Sequence, residues 1–182
     1  ALSKPLADAR HYPAVSWIES FSAYEAQAKL WWAEEVDPAW SERRKQALSL
    51  LTQSDELERI VNLVGPEALS SKQRWVLESA NLIKEGLLQQ SALDEVDSYC
   101  APQKQFALLD LMIHFYQQGE RLIDLGAPVE QLTQLPENGK IRRLKSTIGN
   151  EQLDQLQAFS QQLWKKLEQI QAEYASTGEP QP

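Results

Sequence analysis

The chain has 182 residues, which is enough for one domain with a buried core, and it carries a net charge of -8 with a pI near 4.9. Its 42% hydrophobic and 24% charged residues exclude a disordered tail, and no apolar run approaches the roughly 20 residues that span a bilayer. The acidic balance disfavours phosphate backbones and anionic lipid as partners, so we expect no nucleic-acid binding and no direct membrane insertion.

The cysteine content and the N-terminus bear on cellular location. The single cysteine, Cys100, can form neither an internal disulfide nor a thiolate zinc site by itself, which fits a reducing, cytosolic environment. The sequence begins with Ala and lacks a charged n-region followed by an apolar h-region. We therefore expect no signal peptide, and the chain is interpreted as a piece of a longer one.

Residue usage predicts an all-α fold. Only 19 residues are Ile, Val or Thr, whereas Leu, Gln, Glu and Ala are plentiful, and strands prefer β-branched types. Ser16 and Glu19 form a potential capping box, which predicts a first helix after Pro13. Asp37-Pro38 supplies an N-cap and a first-turn proline, which predict the start of a second helix.

Three further helices are predicted in the middle of the chain. A short third helix carries an apolar face up to Val64 and ends at Gly65-Pro66. Ser70 and Gln73 form another potential capping box, which opens a fourth helix. Pro102 begins a fifth helix with an apolar stripe along one side. Together these segments predict a helical bundle.

The domain organisation follows from where these signals lie. Residues 16–137 are expected to form the bundle, and residues 138–175 a separate terminal unit. This unit opens with a predicted basic turn whose cationic residues are Lys140, Arg142, Arg143 and Lys145.

A long C-terminal helix is predicted from Glu151 to Tyr174. Its apolar residues recur at alternating steps of three and four, a heptad seam that needs a partner helix. The seam either folds back on its own domain or serves as a lever or docking helix for another protein of an assembly. Residues 176–182 are expected to form a frayed, disordered tail.

The residues contain no recognisable self-contained active site. The sequence has no G-x-x-x-x-G-K-[ST] phosphate-binding loop, no G-x-S-x-G and no H-E-x-x-H. His114 lies among apolar residues and is expected to be a core or boundary histidine and not a metal ligand. Asp94, Glu95 and Asp97 are interpreted as solvated or capping carboxylates. We therefore expect no catalytic residue and no metal site in this chain.

Four blocks of the sequence carry a family resemblance. In chain order they are Arg10-His11-Tyr12-Pro13-Ala14-Val15-Ser16-Trp17, Glu56-Leu57 with Ile60-Val61 and Leu63-Val64-Gly65-Pro66-Glu67-Ala68-Leu69-Ser70, Leu88-Gln89-Gln90-Ser91-Ala92 with Val96-Asp97-Ser98-Tyr99-Cys100, and Gly126-Ala127-Pro128-Val129-Glu130-Gln131-Leu132. They resemble, in the same order, segments of the catalytic A-subunit of A-type and V-type rotary ATPases. Because the blocks are collinear and cover nearly the whole chain, the combination is specific.

The resemblance implies the C-terminal helical domain of an ATP-driven ion pump or ATP synthase. The parent uses ATP or ADP with Mg²⁺ and couples their interconversion to H⁺ or Na⁺ transport by rotation. Its phosphate-binding lysine lies upstream, so the fragment alone is expected to bind no nucleotide and to be inactive. Its implied partners are the central-stalk rotor and the non-catalytic B-subunit. The implied location is cytoplasmic, peripheral on the membrane as part of the soluble ATPase head.

The resemblance also implies site residues. Residues 1–15 would join the upstream nucleotide-binding domain, and Tyr12, Pro13, Ala92 and Leu93 would form part of the adenine pocket. An aromatic ring stacked on a base contributes about 1–3 kcal/mol. Leu87 and Leu93 stand where the family usually carries aromatic residues. The implied rotor contact consists of Pro66, Glu67, Ala68, Leu69 and Ser70.

Two points remain open from the sequence. Many relatives carry acidic residues after the rotor turn, where this chain has Lys72; either the rotor compensates or Lys72 points elsewhere. The second interpretation of the whole chain is a non-catalytic helical interaction or scaffold module with a decayed nucleotide pocket. The intact residues around Tyr12 favour the catalytic parent.

Overall fold

A computed structural model describes residues 1–20 and 22–175, and in these ranges the chain contains helices and no strand apart from an isolated bridge between Leu2 and Val15. The all-α prediction is therefore confirmed for this part of the chain, while the predicted tail, residues 176–182, lies outside the described residues. The α-helices are α1 (Lys4–Asp8), α2 (Glu25–Glu35), α3 (Trp40–Val64), α4 (Ser71–Ile83), α5 (Pro102–Asp124), α6 (Val129–Thr133), α7 (Pro136–Ile141), α8 (Leu144–Thr147) and α9 (Leu153–Ala175), with a 3₁₀ turn at Pro66–Ala68 and a π-helical turn at Lys84–Leu88.

The first predicted helix is wrong. Ser16 does accept a hydrogen bond from the Glu19 backbone at 3.1 Å, but residues 17–19 form only a turn, and the nearest helices are α1 and α2. Backbone hydrogen bonds tie residues 14–16 to residues 1–3, with Ser3 N donating to Ala14 O at 2.9 Å. A single cap contributes about 1 kcal/mol, too little to nucleate a helix against this competing pairing.

The second and third predicted helices are one continuous helix, α3, of 25 residues. Ser54 lies on the buried face of α3, donates to Glu58 at 3.2 Å and accepts from the Lys84 ammonium at 3.2 Å. Ser54 therefore forms hydrogen bonds within α3 and to the residue that ends α4, and α3 continues through it without a break. The predicted stop is confirmed, since Gly65 ends the helix with φ of 88°.

Helix α4 begins as predicted and forms the centre of the bundle. Ser70 Oγ accepts from Gln73 N at 3.3 Å and Gln73 Oε1 accepts from Ser70 N at 2.9 Å, so the capping box is confirmed. Trp75 on α4 is fully buried, donates from Nε1 to the Tyr116 carbonyl at 2.9 Å, and meets Phe115 edge-on at 5.2 Å. These contacts lock α4 against α5.

The predicted basic turn is shorter than the segment of four cations, since only residues 142 and 143 form a turn, and this turn joins α7 to α8. The chain there forms α7 and α8, because Ile141 and Leu144 are buried apolar residues that hold both short helices against the core. Of its four cationic residues, Lys145 is buried and Arg142 is half-buried, whereas Lys140 and Arg143 are exposed.

Helix α9 folds back on its own domain, the first of the two alternatives. Its seam residue Leu163 is buried, and Trp164 packs its ring 5.0 Å from that of His114 on α5. Tyr174 donates to Gln131 at 2.8 Å near the helix end. His114 is thus a half-buried boundary residue, as predicted. Within the described residues no helix is both long enough and apolar enough to cross a membrane.

Replacing Gly119 with alanine tests the α4–α5 contact. A Cβ at Gly119 would overlap the Trp75 indole, which burial and its hydrogen bond to α5 prevent from moving away. Gly119→Ala should therefore lower the free energy of unfolding by about 1–3 kcal/mol in urea titrations. Gly139→Ala is the control, because open space surrounds that position, and it should be neutral or slightly stabilising. Equal stabilities for the two variants would contradict the tight contact.

Candidate functional site

A cleft of about 490 Å³ opens where the π-helical turn after α4 leads into the loop of residues 89–99. Tyr12, Ala92 and Leu93, which come from two distant parts of the sequence, line this cleft together. Pro13 follows Tyr12 in the chain and lies outside the lining. The structure thus brings three of the four predicted adenine-pocket residues to one place, while their role in binding stays a prediction.

A backbone hydrogen bond joins the two segments that carry these residues. Gln90 N donates to the Tyr12 carbonyl at 2.8 Å. Tyr12 is 55% exposed and Leu93 is 98% exposed, so both offer uncovered apolar surface at the cleft. A flat apolar ligand could contact both side chains without displacing any part of the core.

His11 supports Tyr12 from the interior. Its imidazole is buried and meets the Trp17 ring edge-on at 5.1 Å. Burial, followed by the positive charges of Lys84 and Lys145, lowers the pKa of His11. His11 is therefore neutral at physiological pH, and its packing against Trp17 holds the adjoining Tyr12 in place.

A buried ion pair lies at the base of the cleft. Lys145 Nζ lies 3.2 Å from Asp97 Oδ1, and both residues are almost completely buried. Asp97 Oδ2 accepts from Ser91 N at 2.6 Å, and Lys145 donates to the carbonyls of Leu87, at 2.9 Å, and Gln89. Of the two predicted roles of these carboxylates, the solvated one is wrong for Asp97, which is buried and accepts from a backbone N–H, whereas Asp94 caps a turn by accepting from Val96 N at 2.9 Å.

Arg142 makes the second charged contact of the cleft. Its guanidinium lies 2.7 Å from Glu78 on α4 and 2.7 Å from Glu85 on the π-helical turn. A Cβ at Gly86 would lie 3.2 Å from the Ile141 carbonyl, so the backbone of the basic segment approaches this turn closely. Sequence reasoning missed these partners; the one available signal was four cations within six residues of an acidic chain.

The predicted rotor contact lies at the other end of α4. Pro66–Ala68 forms an exposed 3₁₀ turn between α3 and α4, whereas Leu69 is buried and Ser70 is occupied as the N-cap. Leu63 and Val64, in the last turn of α3, are 84% and 65% exposed. We call residues 63–68 the tip. It presents apolar surface together with the Glu67 carboxylate.

Lys72, just after the tip, is paired within its own domain. Its ammonium forms an ion pair with Asp124 at the end of α5, at 2.6 Å. The hydrogen bond to Asp124 raises the pKa of Lys72. Lys72 therefore has an exposed partner within its own domain, and the choice between a compensating rotor and a lysine that points elsewhere stays a prediction.

The cleft and the tip are connected by α4. The helix has 13 residues, which at 1.5 Å per residue separates its ends by about 20 Å. The tip precedes its N-terminal end and the π-helical turn follows its C-terminal end. Within the described residues, no group of three or more His, Cys, Asp or Glu side chains is placed to hold a metal ion.

Comparison with known proteins decides the family. A family profile described as the C-terminal domain of V and A type ATP synthase matches residues 29–133, more than half of the chain. The chain belongs to this family. The matched range contains the tip, α4 and the loop of residues 89–99, whereas Tyr12, Arg142 and Lys145 lie outside it.

Relatives from bacteria and archaea extend over nearly the whole chain. The V-type ATP synthase alpha chain of Nitrosococcus oceani is 57% identical over 98% of this chain, and the A-subunit of the A-type ATP synthase of Ignicoccus hospitalis is 39% identical over 93%. The corresponding A-subunit of Methanopyrus kandleri is also 39% identical over 93%. The chain spans only about 30% of the length of these relatives.

Alkylation of Cys100 tests the packing beneath the cleft. The thiol is buried, and burial raises its pKa, so the reactive thiolate is scarce at pH 8 and iodoacetamide has little access to it. We expect alkylation of the native chain to be about tenfold or more slower than that of the urea-unfolded chain. Equal rates would show that the thiol is exposed.

Proposed function

We propose that this chain is the C-terminal helical domain of the catalytic A-subunit of a rotary ATP synthase or ATPase. The parent would interconvert ATP and ADP with Mg²⁺ and couple this reaction to H⁺ or Na⁺ transport by rotation. The support is family membership together with a share of about 30% of its relatives' length. The phosphate-binding loop would belong to the upstream part, so this domain would contribute binding surface and movement.

The cleft is the proposed adenine pocket. Tyr12 is the one aromatic side chain among the lining residues, and its exposed ring can stack on a planar base. Leu93 would cover the base from the loop, and Ala92 leaves space beside it. The other position that departs from the family, Leu87, packs partly buried against the core and belongs to the support of the cleft.

In the proposed movement, α4 transmits a displacement from the cleft to the tip. Nucleotide bound upstream would draw the cleft inward, with the hinge near residues 10–13, and α4 would carry the displacement to the tip. The exposed apolar residues of the tip and Glu67 would meet the central-stalk rotor. The domain would act from the cytoplasmic side, in the peripheral head, beside the non-catalytic B-subunit.

Tyr12→Ala tests the adenine pocket in the full-length protein. Losing about 1–3 kcal/mol of stacking should raise the Kd for ADP by a factor of about 5 to 150. Tyr12→Phe retains an aromatic ring and should bind ADP with nearly the affinity of the unsubstituted protein. Tyr24→Ala removes a similarly exposed tyrosine outside the cleft and should change nothing.

An unchanged affinity of Tyr12→Ala for ADP would contradict the stacking role of Tyr12. It would favour the second interpretation, a non-catalytic interaction module with a decayed pocket, for which the specific observation is a leucine at position 93. Full-length protein that binds no ADP at all would support that interpretation more strongly.

Glu67→Lys tests the tip as a rotor contact in the assembled complex. Reversing an exposed charge at an interface costs roughly 1 kcal/mol, so the affinity for the isolated central-stalk protein should fall about two- to fivefold. Ion transport per ATP hydrolysed should fall with it. Glu56→Lys, also exposed but one helix turn or more before the tip, is the matched control. Identical affinities for both variants would exclude Glu67 from the contact.

A further inference from the structure

The loop that forms the cleft is held by a residue from the last quarter of the chain. The π-helical turn closes with a hydrogen bond from Gln89 N to Lys84 O at 2.8 Å. Beyond it the chain turns away, which leaves the carbonyls of Leu87 and Gln89 without partners from a continuing helix. The Lys145 ammonium donates to both carbonyls.

The same ammonium reaches the far side of the loop through Asp97. One carboxylate oxygen of Asp97 lies 3.2 Å from Lys145 Nζ, and the other accepts from Ser91 N at 2.6 Å. Gln90, between these anchor points, donates its side-chain amide to the Asp97 carbonyl at 2.8 Å and its backbone N–H to Tyr12. A single cation therefore fixes the start and the end of the loop that carries Ala92 and Leu93.

Lys145 is itself held from beneath. Lys104 on α5 is 1% exposed and donates from Nζ to the Lys145 carbonyl at 2.8 Å. Arg142, three residues earlier, is tied to α4 and to the π-helical turn. The position of the Lys145 side chain is thus set by the core and not by solvent.

We propose that Lys145 is a positioning residue for base recognition: its ammonium holds residues 87–97 in the arrangement that places Ala92 and Leu93 in one cleft with Tyr12. Lys145 would act through the loop and not by bonding to the base. The inference rests on the proposed adenine pocket and adds the residue that determines its shape and hence its preference for a purine. The sequence singles out Lys145 only as one of four clustered cations, and the matched family range ends before it.

The test uses calorimetry to measure binding of ADP and of UDP to the full-length protein. The larger purine gains more from a well-shaped stacking cleft than the pyrimidine does, so the ratio of the two dissociation constants reports the shape of the cleft. Lys145→Met should lower the preference for ADP about fivefold or more. Arg143→Met removes a charge two residues away, from a side chain whose guanidinium donates to the Gly139 carbonyl outside the cleft, and should keep the preference of the parent.

A double variant separates positioning from general loss of stability. If Lys145 and Asp97 act as one unit, Lys145→Met with Asp97→Ala should lower the preference no further than the more severe single variant does. Additive losses would overturn the shared role. Should Lys145→Met fail to fold, Asp97→Asn retains the size and the acceptor for Ser91 while removing the charge, and it should still lower the preference; an unchanged ratio in that variant would overturn the proposal.

Tyr12→Ala, measured beside these variants, separates the two proposals. If Tyr12→Ala lowers the preference and Lys145→Met does not, the positioning role is wrong and the adenine pocket stands. If neither variant changes it, the adenine pocket is wrong and the positioning role is wrong with it. A loss in Lys145→Met alone would also overturn the inference, because the lysine would then act through something other than the stacked base.

Discussion

The position of α4 depends on one close contact with α5. Trp75 lies against the bare backbone at Gly119, where any side chain would occupy the space of the indole, and its Nε1 donates to the Tyr116 carbonyl. This contact fixes both the separation and the rotation of the two helices. The indole occupies the space left by the missing side chain of Gly119, and its N–H group reaches one particular carbonyl of α5. Just beyond the C-terminal end of α4, Lys84 pairs with Glu58 of α3 at 2.5 Å. The tip and the cleft lie at the two ends of α4, so these contacts also determine their relative position.

Because packed protein interiors have low compressibility, we expect α4 to move as a rigid helix and to transmit a displacement without deforming. The deformable parts of the domain lie elsewhere. Residues 17–19 form only a turn, and the loop of residues 89–99 has exposed residues from Ser91 to Glu95. In the proposed mechanism, bending would concentrate at the junction of residues 10–13 and in the exposed stretch of residues 91–95, while α4 and the two loop ends anchored by Lys145 would move as a rigid unit. The ion pair of Lys72 with Asp124 adds a link between α4 and the end of α5 close to the tip.

Local sequence signals predicted the parts of the fold that local physics determines. The capping box at Ser70, the proline start of α5 and the glycine stop after α3 all depend on residues within one helical turn, and all are confirmed. The capping box at Ser16 failed because pairing between residues 1–3 and 14–16, a non-local contact, overrode it. In the candidate site, the motif around Tyr12 and the segment around Ala92 could be singled out by resemblance, but the pairing of Asp97 with Lys145 could not. Those residues are 48 positions apart, and a carboxylate in a polar stretch gives no sign that packing will bury it.

A buried ion pair contributes little net stability, because desolvation of both charges offsets most of their attraction, and an apolar pair of similar volume often serves a fold equally well. At the base of the cleft an apolar replacement would meet a different obstacle. Methionine at position 145 could fill the space, yet the carbonyls of Leu87, a half-buried residue, and Gln89, an exposed one, would both lose their donor. Each lost hydrogen bond removes about 0.5–1.5 kcal/mol from the observed loop path. In the proposal the loop would then shift, and the cleft would change shape. In the proposal, the need for the lysine follows from the way the chain leaves the π-helical turn. Arg142 and Lys145 line the cleft, so the basic segment belongs structurally to the cleft as well as to the approach to the terminal helix.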